Sequence, residues 1–521
     1  MVYCGKPSRA CSHCKGRGAK CDRRLECGQC RRAGLKCSGP RDPKQLVFRD
    51  QSQEVSRKAA IRNSNGTSPI GTAPDVLEQA CVMFFNRYVY GNSRTYDYIT
   101  TLDLTNDGDS CLSAAKDAAS LGYYSTQNLS PRILNSARKK YDLALRLVSK
   151  ALQSHDQAVK DSTLASVLLL DLFEKLTQTY RSPESWTKHM NGAVELVKLR
   201  GESQFQYPLG LRLFLQLNST ILIGCLQYDV QVPIELIELR RKASKYVDPM
   251  DPKWKFSEIV VPFVGLGVAN SNGHLSSKHI LDTARYLDAE LNTVSENVPQ
   301  EWKYDTIKIQ SPCEQVYEQH FHVYADHHMT HTWNNIRIIR ILLNTLLREQ
   351  LMPETDPLEN SAIMSQNAED DVIHLTSHIV SLSNDILASV PQYTQLPRHT
   401  SKFFPTFSST NSSIRSSSST GHASNLSSNT SSKSKSVRSE PTDFTPFEIS
   451  RCYALIFPLY IAGNSPVCSE STRGWILDIL DFLENSVGIR EAKAAAGYLK
   501  RREKINPWSL YAKIGSYSFS A

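Results

Sequence analysis

The chain has 521 residues and a formal net charge of +8, long enough for several domains and a large buried core. No run of about 18 apolar residues marks a membrane span, and residues 1–10 lack the apolar stretch of a secretory signal. The charge is concentrated at one end: residues 1–50 hold 13 Lys/Arg against 4 Asp/Glu, and the remaining 471 hold 47 against 48. A footprint for a polyanion is therefore confined to the N-terminal stretch.

After a tail at 1–10, residues 11–37 read Cys11-Ser-His-Cys14, six residues, Cys21, five residues, Cys27-Gly-Gln-Cys30, six residues, Cys37. These are two halves of the form Cys-x2-Cys-x6-Cys. A structural zinc takes four ligands in a tetrahedron. Two zinc ions thus need eight metal–sulfur bonds, which six thiolates supply only when two of them bridge. The repeat points to Cys11 and Cys27, the first cysteine of each half, as the bridging pair, with Cys14, Cys21, Cys30 and Cys37 completing the sites. The stretch has almost no apolar side chains, so metal binding would supply its folding energy. It is interleaved with Lys15, Arg17, Lys20, Arg23, Arg24, Arg31, Arg32 and Lys36, a density suited to phosphate. The other seven of the 13 cysteines are scattered without pairing pattern, which favours a reducing compartment over a disulfide framework.

This stretch resembles the fungal Zn2Cys6 binuclear-cluster DNA-binding domain. That family reads Cys-x2-Cys-Arg-x-Arg-Lys-x-Lys-Cys-Asp through its first half, and here the segment is Cys14-Lys15-Gly16-Arg17-Gly18-Ala19-Lys20-Cys21-Asp22. Arg17, Lys20 and Asp22 match, and Lys15 stands for the usual arginine. Gly18 replaces a lysine that the family sets against bases, and Leu25-Glu26 stands where a proline is usual. The resemblance implies two Zn2+ ions, binding of duplex DNA at CGG-like triplets, a nuclear location and action on RNA polymerase II. On this reading Lys15, Arg17 and Lys20, with Arg23 and Arg24 beside them, contact DNA, and Arg31, Arg32 and Lys36 position phosphates. Gly16 and Gly18, placed together in one short helix, each cost about 1 kcal/mol of helix preference. A missing base-contacting cation costs about 1–3 kcal/mol of discrimination.

Residues 38–74 read as a linker. Gly39-Pro40 and Asp42-Pro43 break structure, Leu46 to Arg62 is a candidate helix without clean heptads, and Asn63 to Pro74 is a spacer. From 75 to 395 the pattern is helical. The expected helices are Val76–Tyr90, Leu112–Gly122, Pro131–Ser154, Asp161–Thr177, Pro183–Arg200, Leu209–Tyr228, Ile234–Tyr246, Ser276–Glu296, Cys313–Gln350 and Asp370–Val390. In the fourth of these, Leu164, Val167, Leu168, Leu172 and Leu176 recur at helical spacing. Within Pro131–Ser154, Ile133, Ala137, Tyr141, Leu145 and Leu147 are expected to share the buried face. Ser182 caps the next helix, Pro183 suits its first position, Trp186, Met190, Ala193, Val194 and Val197 form its stripe, and Gly201 stops it. Gly265-Leu-Gly267-Val-Ala-Asn270 mimics a dinucleotide loop but lacks the third glycine and a βαβ setting, and is expected to be a plain loop. His320, His322, His327, His328 and His331 crowd one expected helix in a structural or surface role. Acidic residues from Glu354 to Asp371 form an exposed loop and helix start.

Residues 396–442 break the pattern. The forty residues from Ser401 contain 17 serines, and such a segment cannot offset its ordering entropy by burial. The expectation is a disordered insertion, after which helices at Glu448–Ala462, Arg473–Val487 and Ile489–Lys504, within residues 443–521, pack back on the α domain.

The large domain is similar to the second type of fungal-specific transcription factor domain. The resemblance rests on Ser162-Thr163-Leu164, Leu168-Leu169-Leu170, Phe173-Glu174, Trp186, His189-x2-Gly192-Ala193 and Leu196 to Gly201, with Tyr324, Trp333-Asn334 and Arg337 as a later piece. It implies a small zinc cluster followed by a large all-α regulatory domain. The function expected is a zinc-dependent, sequence-specific transcription factor for a metabolic or biosynthetic gene set, with transcription machinery or co-regulators as partners. The alternative is an interaction protein with weakened base recognition that acts through its helical domain. Homodimerisation is left open. No membrane partner is expected, and no catalytic constellation or P-loop appears.

Overall fold

The computed structural model describes residues 10–40, 75–90, 95–105, 109–177, 182–273, 275–352, 366–394, 444–503 and 505–514. The expected linker helix Leu46–Arg62, the spacer to Pro74, residues 354–365 of the acidic segment and the serine-rich insertion 396–442 lie outside these. The chain divides into two compact units, Met1–Ala73 and Pro74–Ala521.

Among the described residues of the first unit the helices are α1 (Ser12–Gly16) and α2 (Gly28–Arg32). Over its described residues the second unit forms helices and one hairpin, joined by turns. It opens with α3 (Val76–Phe84), which runs into a π-turn at Phe85–Val89, and continues with α4 (Tyr98–Thr105), α5 (Ser110–Gln127), α6 (Pro131–Ala151) and α7 (Asp161–Leu176). Side chains close the orphan N–H groups of these helices. Asp109 accepts from Cys111 N at 2.9 Å, and Ser130 accepts from Ile133 N at 3.4 Å with Pro131 behind it. α5 packs on both α6 and α7. The inner face of α6 is Ile133, Ala137, Tyr141, Ala144 and Val148. Leu145, expected there, is exposed, because a residue next to Ala144 is turned about 100° around the axis. Tyr141 stacks on Phe173 with centroids 4.5 Å apart and donates to the buried carboxylate of Glu174. α7 is buried from Ser162 to Glu174, so it forms the hub of this half.

α8 (Pro183–Arg200) buries Trp186, Met190, Ala193, Val194 and Val197 as the spacing predicts, and Gly201 ends it at φ +75°. α9 (Pro208–Tyr228) is long and apolar enough to cross a membrane, but 78% of its most apolar stretch is buried inside the unit. It is a core helix, with Asn218 accepting from the buried Arg240 of α10 (Ile234–Ala243) at 2.8 Å. Next comes α11 (Pro252–Ser271), which corrects two expectations. Gly265–Asn270 lies inside this helix and is not a loop, and the helix itself was not foreseen. Asp251 caps Lys253 N at 2.9 Å with Pro252 at the first position. Burial of Val260, Val264, Leu266 and Val268 outweighs the helix cost of Pro262 and the two glycines. α12 (Ser277–Glu296) packs on α11.

The expected helix Cys313–Gln350 is also corrected. β1 (Asp305–Lys308) pairs antiparallel with β2 (His320–Val323) in the register Thr306↔His322 and Ile307↔Phe321. α13 (His327–Leu351) begins only where Asp326 caps Met329 N at 2.8 Å. The five histidines are therefore split: His320 and His322 lie on a strand, and His327, His328 and His331 on a helix. α14 (Gln366–Ala388) and α15 (Val390–Thr394) follow.

From residue 444 the described chain continues as α16 (Pro446–Tyr453), α17 (Ile456–Asn464), α18 (Glu470–Asn485), α19 (Glu491–Arg501) and α20 (Pro507–Lys513). The predicted helix Glu448–Ala462 is broken at Ala454–Leu455. Arg87 ties this end to the beginning: it donates to the Ser450 carbonyl at 3.0 Å and lies 3.6 Å over the Tyr453 ring.

Tyr324, Trp333, Asn334 and Arg337 converge. Arg337 donates to the Tyr324 hydroxyl at 2.8 Å and to Asn334 Oδ1 at 3.0 Å, among the rings of Tyr304 and Trp333. Two neighbouring histidines are held neutral. Burial, then Arg337, lowers His322 to about 3; burial, then Arg451 at 2.9 Å, lowers His327 to about 3. A histidine whose folded pKa is depressed takes up its proton only in the unfolded chain. Stability is then full above about pH 6.5 and falls as pH drops toward 3, by up to about 1.4 kcal/mol per histidine per pH unit. Thermal melts of the full chain between pH 7 and 5 should show this decline, and His327→Gln should flatten it. An unchanged slope in that variant contradicts the assignment.

Candidate zinc cluster and nucleic-acid interface

In each half of residues 11–37 the first cysteine sits at a helix N-cap and the second inside the first turn. Cys11 and Cys14 flank the start of α1, and Cys27 and Cys30 the start of α2. The short helices end identically. Past α1, Gly18 takes φ +65°, its N–H donates to the Lys15 carbonyl at 3.4 Å, and Ala19 N donates to the Cys14 carbonyl at 2.9 Å. Past α2, Gly34 takes φ +65°, Gly34 N donates to Arg31 at 3.3 Å, and Leu35 N to Cys30 at 2.9 Å. Both are Schellman stops, where glycine is favoured because a left-handed residue must follow the last turn. This corrects the reading of Gly18 as a helix-interior glycine. It lies outside α1 and costs that helix nothing, and only Gly16 falls within it.

The halves also complete each other. The residue after the third cysteine of one half closes the helix start of the other. Asp22 Oδ2 accepts from Gly28 N at 2.8 Å, and Ser38 Oγ accepts from Ser12 N at 3.0 Å. The Gly28 N–H, despite some desolvation, holds the Asp22 carboxyl below the usual range. Neither Ser38 nor Gly34 was singled out from the sequence, although each occupies the position in its half that Asp22 or Gly18 occupies in the other.

The thiols converge at the centre. Cys11 Sγ lies 3.7 Å from Cys27 Sγ and 3.6 Å from Cys30 Sγ, and Cys14 Sγ lies 3.6 Å from Cys27 Sγ. Cys11 and Cys27 are each 0% exposed, whereas Cys21 and Cys37 are half-buried at the flanks. Cys21 Sγ falls in one ligand-distance group with Cys27, and Cys37 Sγ accepts from Cys27 N at 3.4 Å. Burial, then the Cys11 and Cys27 thiols, pushes Cys14 up to about 12, while the Cys27 and Gly39 N–H groups hold Cys37 down to about 7. Thiolates packed this closely repel one another, and a soft-ligand cation offsets that repulsion. The donor set is sulfur throughout apart from Asp22, whose carboxylate is already engaged as a cap, and it fits zinc.

Lys15, Arg17, Lys20, Arg23, Arg24, Arg31, Arg32 and Lys36 are all exposed around this core. Among the described residues, none of the eight forms a salt bridge. Arg32 Nε donates to the Gly28 carbonyl at 3.3 Å. The site is thus a buried sulfur centre inside a shell of exposed positive charge.

Residues 9–46 match the family model of the fungal Zn(2)-Cys(6) binuclear cluster domain, and residues 76–227 that of the fungal specific transcription factor domain. An uncharacterized protein of Emericella nidulans is 30% identical over 118 residues, which cover 23% of this chain and 25% of that protein. The match therefore spans about a quarter of that relative's length. No solved structure matches the chain. The cluster domain binds two zinc ions, and the clustered thiols agree with that stoichiometry. The thiol centre and its basic shell agree with the first of these matches, and the chain carries a fungal Zn(2)-Cys(6) binuclear cluster domain followed by a fungal specific transcription factor domain.

Proposed function

We propose that this chain is a nuclear, sequence-specific regulator of RNA polymerase II transcription whose DNA binding depends on two zinc ions. One observation carries the reading: six thiols around one centre, enclosed by eight exposed cations. In this reading Cys11 and Cys27 bridge the two ions, and Cys14, Cys21, Cys30 and Cys37 complete the tetrahedra. The cations at Lys15, Arg17, Lys20, Arg23, Arg24, Arg31, Arg32 and Lys36 engage duplex DNA. Residues 11–37 act as the DNA-binding domain and 38–74 as a linker. Residues 75–395 with 443–521 act as the regulatory domain that receives co-regulators, and 396–442 is an insertion. The gene set is metabolic or biosynthetic.

Gel shifts of the full chain against random duplexes, with and without chelator, test this reading. Binding that is abolished by chelator and restored by zinc is expected. Binding indifferent to metal, or none, overturns it. Lys36→Ala should weaken all sequences alike and reduce the salt slope by about 1, and an unchanged slope removes Lys36 from the phosphate contacts. A second reading, an interaction protein with weak base recognition, is favoured by the absence of side chains at Gly16 and Gly18. Genome-wide occupancy without an enriched motif would select it.

A further inference from the structure

The two halves of the cluster correspond through a constant shift of 16, the separation of Cys11 and Cys27. Lys15 corresponds to Arg31, Lys20 to Lys36 and Gly18 to Gly34. The backbone agrees: Lys15 N to Cys11 O is 3.0 Å and Arg31 N to Cys27 O is 3.1 Å, and the next bonds, Arg17 N to His13 O and Ala33 N to Gln29 O, are both 3.1 Å. Two helices with the same frame can be compared position by position for what they offer to a groove.

At about 100° per residue, Cys14 and Cys30 mark the sides of α1 and α2 that face the sulfur centre. Nearly opposite, about 160° around the axis, lie Gly16 on α1 and Arg32 on α2, with His13 and Gln29 about 100° to one side. Lys15 and Arg31 lie to the other. All of these residues are exposed. A Cβ at Gly16 or Gly18 would meet nothing within 4 Å, so the outward side of α1 is bare at Gly16 and the turn that follows it is bare at Gly18. Its chemistry reduces to an imidazole and point-charge contacts, with Arg17 just past the helix end. α2 carries two guanidiniums and a carboxamide. These are the groups that form paired hydrogen bonds with base edges, arginine with guanine and glutamine with adenine. The bond from Arg32 Nε to the Gly28 carbonyl at 3.3 Å fixes that side chain's stem and leaves its terminal nitrogens to donate.

We propose that α2 is the base-reading helix of this cluster, with Arg31 and Arg32 on guanines and Gln29 on an adenine, while Lys15, Lys20 and Lys36 hold phosphates. This rests on the DNA-binding reading above. It moves specificity to the half of the repeat that keeps forked side chains.

The test selects bound sequences from random duplexes with the zinc-loaded full chain as wild type, Gln29→Ala, Arg31→Lys and Lys15→Ala. Bound zinc is measured in each to confirm that the cluster is intact. Gln29→Ala and Arg31→Lys are expected each to lose preference at one position of the selected motif, by about 5- to 100-fold. Lys15→Ala should weaken all sequences without changing the motif. A motif unchanged in both α2 variants overturns the inference, as does one altered by Lys15→Ala alone. Failure of zinc-loaded wild type to bind any duplex overturns the DNA-binding reading itself, a distinct outcome.

Discussion

Cys14→Ser is expected to leave residues 11–37 unfolded, to release bound zinc and to abolish duplex binding, while thermal unfolding of the helical unit stays unchanged. The module has little else to hold it. Its buried side chains are the cysteines Cys11, Cys14, Cys27 and Cys30, with only Leu35 and the two remaining cysteines packed against them. Leu25 is 85% exposed and adds nothing to a core. Burial of one leucine stabilises by about 2 kcal/mol, whereas a structural zinc supplies about 10–16 kcal/mol of apparent folding energy at neutral pH. The metal term therefore decides whether this unit folds, and serine is a far poorer zinc ligand than thiolate. Metal analysis, far-UV circular dichroism and gel shift on the full chain read the three effects separately. A Cys14→Ser chain that keeps two zinc ions and binds DNA would refute the cluster. Prolonged chelation of wild type should reproduce the variant, and zinc should reverse it.

Gly224→Ala is expected to destabilise the helical unit by about 2 kcal/mol. A Cβ on Gly224 would lie 1.9 Å from Trp186 Cζ2 and 2.5 Å from Cε2. Trp186 is buried at 3% exposure and its ring also packs on Tyr228, with centroids 5.2 Å apart, so it cannot swing aside. Alanine gains about 1 kcal/mol of helix preference over glycine, but overpacking a close-packed core costs about 1–3 kcal/mol and more where the obstacle is a rigid ring. The clash wins. Denaturant titration of the full chain measures the loss, and zinc content should not change. Adding Trp186→Leu to Gly224→Ala should cost less than the two single changes summed, since the pair shares one contact. Full additivity would contradict this account of how α8 and α9 meet.

The cluster was legible because metal geometry is written as spacing. Four-coordinate zinc and six thiols leave few arrangements, and the repeat singled out Cys11 and Cys27, which are the two thiols fully buried at the centre. The stripe from Trp186 to Val197 was legible for a similar reason, being bounded by Pro183 and Gly201. Failures occurred where local signals compete with tertiary burial. Pro262, Gly265 and Gly267 read as breakers, yet apolar packing of Val260 and Val264 keeps α11 continuous. The residues between Cys313 and His327 were assigned to α13, although β2 gains its partner from β1, a dozen positions earlier. Gly18 was misplaced because a glycine two residues beyond a five-residue helix looks the same in sequence as one inside it. The repeat held the needed clue, since Gly34 stands at the same step.

The exchange of caps by Asp22 and Ser38 bears on how the metal is loaded. The helix start of each half is closed by a residue lying just past the last cysteine of the other, so neither half is complete as a separate fragment. Filling one metal position must order both helices at once, and the second position is then already shaped. Zinc titration of the stripped protein should pass from the empty to the doubly loaded form with scarcely any singly loaded species. In native mass spectrometry the intermediate peak should stay minor at every ratio, a form of metal economy built from two hydrogen bonds rather than from the thiols themselves.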